Sequence, residues 1–391
     1  MIGPILRAIA HKPAAAVLII LEVGFGFAVA VQAVNLGRWF ARVHADPSGI
    51  DTSVFVVSSE SAQPTPDRGD TTRSLERDVA VLAGTPGVVA VAPVRRVPMT
   101  RGIFPTPVHG GGRTLVVWAL DGSSTRDALG VPLVEGRDLT PADGGKSPEP
   151  VLVDRDVAAL LFPGGRAVGR TLELPGQGHS AIVVGVTASF RAMSAFAPYA
   201  HDTLIVPNEL STLRSTSFIV RAEPGAIAAA MAEAQARLLA ANPDRALALT
   251  AIEDMREDVD RSARGGSAIF NFMVVVVILV VLSGTFAMVS FLVAERTKQI
   301  GMRRALGATK RDIVKFFLQE NELLTLFGIV LGLPLTYGLN LLSRVAQPDL
   351  FLDWQSIVLG VVLFICTGHA AALIPALRAA SVPPTVASKS V

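Results

Sequence analysis

The sequence predicts a membrane protein with four transmembrane α-helices plus an extracytoplasmic α+β domain set between the first and second. Three observations carry this. Half of the 391 residues are hydrophobic and mean hydropathy is +0.48, too apolar for an ordinary soluble chain. Four apolar runs, Ala14–Gly37, Ala268–Ala294, Leu323–Leu342 and Ser356–Leu377, each reach the roughly 20 residues that span a bilayer. Between the first two lies a stretch of about 230 residues patterned as short strands and helices, long enough to bury its own core. The expected division is 1–40 (N-terminus and first span), 41–265 (external domain) and 266–391 (three further spans), with a basic loop at 295–315.

The first run has a rival reading. Arg7, His11 and Lys12, an apolar centre and the small residues Ala28-Val29-Ala30 have the outline of a cleavable signal peptide. The apolar stretch runs past that cut, however, and Glu22 falls inside it. An uncleaved anchor is the expectation.

The external stretch opens and closes on strand–helix–strand patterns. Ser53–Val57 reads as a strand, Thr72–Ala83 as a helix and Val88–Val97 as a strand after the Pro86-Gly87 turn. Near its end Ser217–Arg221 is a strand, Pro224–Ala241 an Ala-rich helix with Pro at its start, and Ala246–Ile252 a strand. Two such units predict a small sheet with right-handed crossovers. Between them, roughly Met99 to Val206 is rich in Gly and Pro, with β-like runs at Thr114–Leu120 and Ala181–Val186. The single cysteine, Cys366, rules out an intramolecular disulfide, so this domain depends on its own core.

After the second run comes the loop 295–315. Arg296, Lys298, Arg303, Arg304, Lys310, Arg311 and Lys315 face two acids, Glu295 and Asp312. Short Lys/Arg-rich connections stay in the cytoplasm. With Arg7 and Lys12 before the first run and Arg378 and Lys389 after the fourth, both termini are expected there and the large domain across the inner (plasma) membrane. Contact with anionic lipid headgroups would account for the charge alone. It would not account for the punctuation: Gly307 suits a helix stop, and Thr309 with Asp312 suits a capping box that starts the next helix. The loop is expected to present a short, defined element to a cytoplasmic partner.

The run A-E-R-T-K-Q-I-G-M-R-R-A-L-G-A-T-K-R-D-I (Ala294–Ile313) resembles the cytoplasmic signature of ABC transporter permeases of the MacB/FtsX/LolC type. The match continues through F-F-L-Q-E-N-E-L-L-T-L-F-G-I-V-L-G (Phe316–Gly332) and A-L-I-P-A-L-R-A-A-S-V-P-P (Ala372–Pro384). Weaker echoes occur at Thr85–Val94, Glu135–Thr140 and Leu161–Leu172. The resemblance implies a porter-like β-α-β subdomain interrupted by an inserted β-rich subdomain. It also implies that Gly301–Leu306 is a coupling helix docking on an ATPase, within an ATPase-coupling set of Glu295, Arg296, Ile300, Gly301, Met302, Arg303, Arg304, Leu306, Gly307, Ala308, Thr309 and Asp312. Ile300, Met302 and Leu306 would enter the ATPase groove, and Arg303 and Arg304 would meet its acidic rim.

Charged or polar side chains inside spans are costly and so are functional candidates. These are Glu22 and His369, which could face each other or a protomer interface, and Glu320 and Glu322 at the mouth of the third span. Either glutamate suits an electrostatic anchor, the two facing different ways. Gly328, Gly332 and Pro334 read as packing and kink devices.

No enzyme chemistry emerges. Gly144-Gly145-Lys146-Ser147 resembles the end of a phosphate-binding loop, but the leading glycine position holds Thr140 and prolines surround the segment. The six histidines lack metal-ligand spacing, and no G-x-S-x-G elbow occurs. The chain itself is expected to bind no cofactor, with ATP hydrolysed on a separate cytoplasmic ABC ATPase subunit. Other implied partners are a second permease (homodimer or paralogous heterodimer), a periplasmic adaptor and the lipid bilayer; no nucleic acid is expected. The expected role is mechanotransmission, in which ATP hydrolysis reshapes the external domain to drive export or extraction. Alternatives are an FtsX-like regulator of cell-wall hydrolases, a lipoprotein-releasing permease, and a membrane-anchored sensor or scaffold without an ATPase.

Overall fold

The computed structural model describes residues 13–45, 48–61, 68–100, 105–175, 179–192, 202–207, 215–346 and 350–383. Arg7, His11, Lys12, His201 and Lys389 lie outside the described residues. The chain divides into two units, Met1–Arg42 with Arg264–Val391, and Val43–Ala263. The first helix, α1 (Pro13–Ala45), runs on beyond its apolar stretch because no breaker occurs before Pro47.

The second unit begins β1 (Val54–Ser61), α2 (Arg68–Ala83), β2 (Val88–Val94), β3 (Pro105–Gly110), β4 (Arg113–Asp121) and α3 (Thr125–Ala128). It continues through β5 (Leu133–Gly136), β6 (Glu149–Asp154), α4 (Arg155–Leu161), β7 (Thr171–Leu174), β8 (His179–Thr187) and β9 (Thr203–Val206). It closes on β10 (Ser215–Ala222), α5 (Ile227–Ala241) and β11 (Arg245–Ala251). Helix α5 starts at Ile227 rather than Pro224, because Pro224-Gly225 forms the preceding turn, with Gly225 at φ +81°.

The four-stranded sheet has the order β11-β1-β10-β2, every neighbour antiparallel. Each expected strand–helix–strand unit is therefore a crossover between parallel strands that skips one position. The strands of each strand–helix–strand unit do not pair with one another; a strand of the other unit lies between them. Interleaving brings both helices onto one face. Phe55 and Val57 of β1, and Phe218 and Val220 opposite them in β10, bury against Leu82 of α2 and Ala230, Ala234 and Leu238 of α5. Each fully buried phenylalanine there contributes roughly 1.5–3 kcal/mol. Asp78 and Arg245 clamp α2 to β11 through two hydrogen bonds of 2.7 and 3.1 Å, both side chains buried.

Residues 105–206 form a second sheet, ordered β5-β8-β6-β9-β4-β3-β7, in which β7 also pairs with β8. That pairing closes six strands into a ring, with β5 extending from β8. Inward side chains such as Val108, Val117, Val151, Val153, Leu172, Val183 and Leu204 fill it. The opposite face of the four-stranded sheet (Val54, Ala92, Val94, Ile219) packs with Leu120, Leu152, Phe190 and Ile205 in one shared core. Strands β4 and β8 coincide with the two expected runs. The other five strands of this sheet were not expected: three have only four residues, too few for alternation to register.

The remaining elements are α6 (Ile252–Glu295), α7 (Thr297–Ala305), α8 (Lys310–Ala346) and α9 (Trp354–Ala380). Four helices, α1, α6, α8 and α9, are long and apolar enough to cross a membrane. Glycines set their close approaches. A Cβ at Gly328 would strike Val23, one at Gly332 would meet Phe27 at 2.7 Å, and one at Gly24 would sit 3.0 Å from the Gly328 carbonyl. α1 and α8 can therefore cross only backbone to backbone, as small residues permit in membranes. At one end Asn35 joins α1 to α9, donating to the Phe351 carbonyl (3.2 Å) and accepting from the Asp353 N–H (3.1 Å).

Candidate functional site

The loop at 295–315 folds as a helix held between two turns. α6 ends at Glu295, and the chain re-enters helix within two residues. The Arg296 N–H reaches the Leu292 carbonyl at 3.1 Å, and the Ile300 N–H reaches that of Arg296 at 3.0 Å. With no breaker there, α7 begins at Thr297, earlier than the expected Gly301–Leu306 element, and Leu306 is its C-cap.

The stop is sharp. Gly307 stands at φ +100°, a left-handed conformation that costs other residues roughly 1–2 kcal/mol. Its N–H reaches the Arg304 carbonyl and that of Ala308 reaches Arg303, both at 3.1 Å. These two bonds make a Schellman motif. The next helix starts at once. The Thr309 N–H and Oγ1 donate to Asp312 Oδ2 at 2.9 and 2.6 Å, and the Asp312 N–H returns to Thr309 Oγ1 at 3.3 Å. One helix is ended and another begun within three residues.

Side chains then tie α7 to the spans. Arg296 Nη1 bonds both carboxylate oxygens of Glu320 in α8, at 2.9 and 2.8 Å, with both side chains largely buried. Arg304 Nη1 donates to the Ala380 carbonyl at the end of α9 (3.1 Å) and to the Val382 carbonyl just beyond it (2.8 Å). Arg303 lies over the Phe316 ring, 4.6 Å from its centroid.

Two expected placements are corrected. Ile300 is 3% exposed and packs with Val289, Val293, Ile313, Phe317, Ala372 and Ala376, so it belongs to this chain's own core and cannot enter a partner's groove. Gly301 beside it is buried as well. Arg304 is committed to α9 rather than to an acidic rim. By contrast Met302 (55% exposed) and Leu306 (84%) point outward one turn apart. The element offers two apolar side chains and the exposed cations Lys298 and Arg303 on a rigid base.

The intramembrane polar residues do not converge. The Glu22 carboxylate lies against Gly284 of α6, where any Cβ would collide with it. His369 Nδ1 lies 2.9 Å from the Ile365 carbonyl of its own helix. No ion pair joins Glu22 and His369. Glu320 is buried against Arg296, whereas Glu322 is exposed on another face. The sequence offered a glutamate anchor at the third span but not Arg296 as its partner, and the Arg304 cap was missed. The first had a signal, acids at the mouth of the third span beside a cation-rich loop; the second had none.

Among the described residues no group of three or more His, Cys, Asp or Glu could hold a metal. The Gly144–Ser147 segment is a turn between strands, with Lys146 Nζ 2.8 Å from Asp143. Asp143 also takes two bonds from Arg137, at 2.7 and 3.0 Å, which hold its carboxyl far below the usual range.

The FtsX-like permease C-terminal family model matches residues 271–384, covering most of α6 and all of α7 to α9. The MacB-like periplasmic core domain model matches residues 16–238, more than half of the chain. The chain belongs to the MacB/FtsX-type family of ABC transporter permeases. This permease is 26% identical over 274 residues to the uncharacterized ABC transporter permease YvrN of Bacillus subtilis, covering 66% of each chain. It is 24% identical over 380 residues to the macrolide export ATP-binding/permease protein MacB 1/2 of Paracoccus denitrificans, covering 95% of the permease and 55% of that protein. The permease thus spans only part of the length of these relatives. Among solved structures, the periplasmic region of MacB from Actinobacillus actinomycetemcomitans aligns at 15% identity with a TM-score of 0.37, covering 56% of the permease and 98% of that chain.

Proposed function

We propose that this permease is the membrane subunit of an ABC transporter that carries motion from a separate cytoplasmic ATPase to the domain on the other side of the membrane. The observation that carries the reading is α7, bounded by a Schellman stop and a capping box, pinned to α8 and α9, and presenting Met302 and Leu306 outward. A loop serving only as topological charge would need none of these fixings. The seven cations of 295–315 favour a cytoplasmic loop, and with it cytoplasmic termini. ATP binds the partner, and closure of an ATPase pair pushes α7. Because Arg296–Glu320 and Arg304 lock α7 to the spans, the push moves α8 and α9 with it. α6 conveys it further as one uninterrupted helix from Ile252 to Glu295. The permease works as a dimer, with a copy of itself or with a paralogue, and an adaptor engages the external domain. Relatives named for macrolide and syringafactin export favour export or extraction of a substrate.

The test is co-purification of tagged permease in mild detergent, followed by mass spectrometry and an ATPase assay on the eluate. A stoichiometric ABC ATPase is expected, and it is lost on Met302→Asp with Leu306→Asp. Gly307→Pro, which cannot adopt φ +100° and lacks the N–H bonded to Arg304, abolishes ATPase stimulation with membrane insertion intact. Unchanged stimulation in that variant sinks the coupling role of α7.

A further inference from the structure

A cavity of about 630 Å³ opens between the first three turns of α8 and the last turn of α9. Two kinds of side chain line it. Lys310, Arg311 and Lys315 supply exposed cations, and none of them forms an ion pair among the described residues. Val314 and Leu318 of α8 and Leu377 of α9 supply apolar walls. The helical repeat sorts them: Arg311 and Lys315 make one stripe, Val314 and Leu318 the adjacent one.

This placement of charge calls for a counter-charge. Cations in the first turns of a helix oppose its macrodipole, and the acid nearest them, Asp312, feels the charge of Lys315 but spends its hydrogen bonds on Thr309. The cavity lining contains no acid. Thr309 already takes the Asp312 N–H, so the helix's own amides are not what an anion would meet first. The apolar wall does not stop at the cavity. Leu373, Ile374 and Leu377 are all exposed along α9, a surface suited to acyl chains that runs into a cationic mouth. A free inorganic anion would leave the apolar wall unused, and an acidic peptide would leave the exposed α9 stripe unused.

We infer that this cavity binds an anionic phospholipid, its phosphate among Lys310, Arg311 and Lys315 and its acyl chains along Leu318, Leu377 and the α9 stripe. A lipid there would brace the start of α8 against the end of α9, beside the Arg304 contacts. The inference does not depend on the coupling role of α7 or on which ATPase binds.

The experiment is native mass spectrometry of full-length protein released from nanodiscs of phosphatidylcholine and phosphatidylglycerol. The wild type is expected to retain phosphatidylglycerol over phosphatidylcholine. Arg311→Gln with Lys315→Gln should lower that preference about 30-fold, taking about 1 kcal/mol per cation at the membrane surface. The charge-conserving pair Arg311→Lys with Lys315→Arg should keep it, and an unchanged melting temperature of the glutamine variant excludes misfolding as the cause. Equal retention of the two lipids by the wild type overturns the inference. So does an undiminished preference in the glutamine variant. Loss of a co-purified ATPase with lipid preference unchanged would assign the cations to a protein partner instead.

Discussion

At the residue scale, the contact that decides most is Arg296 with Glu320. Removing one member of a buried pair leaves an uncompensated charge, at a cost of about 3 kcal/mol or more, whereas replacing both by apolar residues is often tolerated. With side chains 14% and 6% exposed, this pair falls in that class. Glu320→Leu and Arg296→Met should therefore each lower the unfolding midpoint in detergent clearly, and the double variant should recover most of the loss. An additive double variant would mean the pair is not coupled. Gly307→Ala is a milder case. A Cβ at Gly307 meets nothing within 4 Å, so only backbone strain counts, roughly 1–2 kcal/mol. Asparagine, which tolerates the left-handed region, should cost less, and circular dichroism melts would rank the two.

At the scale of elements, the turn between α7 and α8 matters because two helix ends meet there. Thr309→Ala removes the hydroxyl that bonds Asp312 and should cost about 1 kcal/mol. Hydrogen exchange is expected to quicken at residues 310–313 and to stay unchanged in the middle of α8; uniform exchange would refute the local role of the cap. This punctuation was readable in sequence, since Gly307 and Thr309…Asp312 bear local signals that tertiary contacts do not override. The faces of α7 were not readable. A nine-residue helix places Ile300 and Met302 on different sides, and only the α6, α8 and α9 side chains around Ile300 show which side is taken. The same limit hid the strand order. Strand and helix patterns locate β1, α2, β2, β10, α5 and β11, but interleaving is set by which face both helices must cover.

For the whole molecule, four spans and one inserted domain follow from hydropathy and length, which are global properties, while the closed ring at 105–206 depends on long-range pairing that short strands do not announce. That ring carries a whole-molecule consequence in its response to pH. Asp154 ends β6, caps α4 by accepting the Val157 N–H at 2.8 Å, and accepts the N–H of Thr203 from β9. Burial pushes its carboxyl up to about 8 against those two donors, and the charges of Asp202 and Asp156 push the same way. A carboxyl raised on folding keeps its proton in the native state while the unfolded chain, with an ordinary value near 4, has released it. Stability from this group is therefore greatest below about pH 4 and falls as pH rises toward 8. Asp143 behaves in the opposite sense. Its folded value is depressed, so its contribution is lost only in acid and stays flat between pH 5 and 8. Between pH 5 and 8, then, the melting temperature of full-length protein in detergent should drop through Asp154. Asp154→Asn has no proton to lose, so its slope over the same range should flatten, with hydrogen exchange at β6 and β9 becoming insensitive to pH. An equal slope in both proteins would show that the Asp154 carboxyl is already ionised in the fold, held so by the Val157 and Thr203 N–H groups.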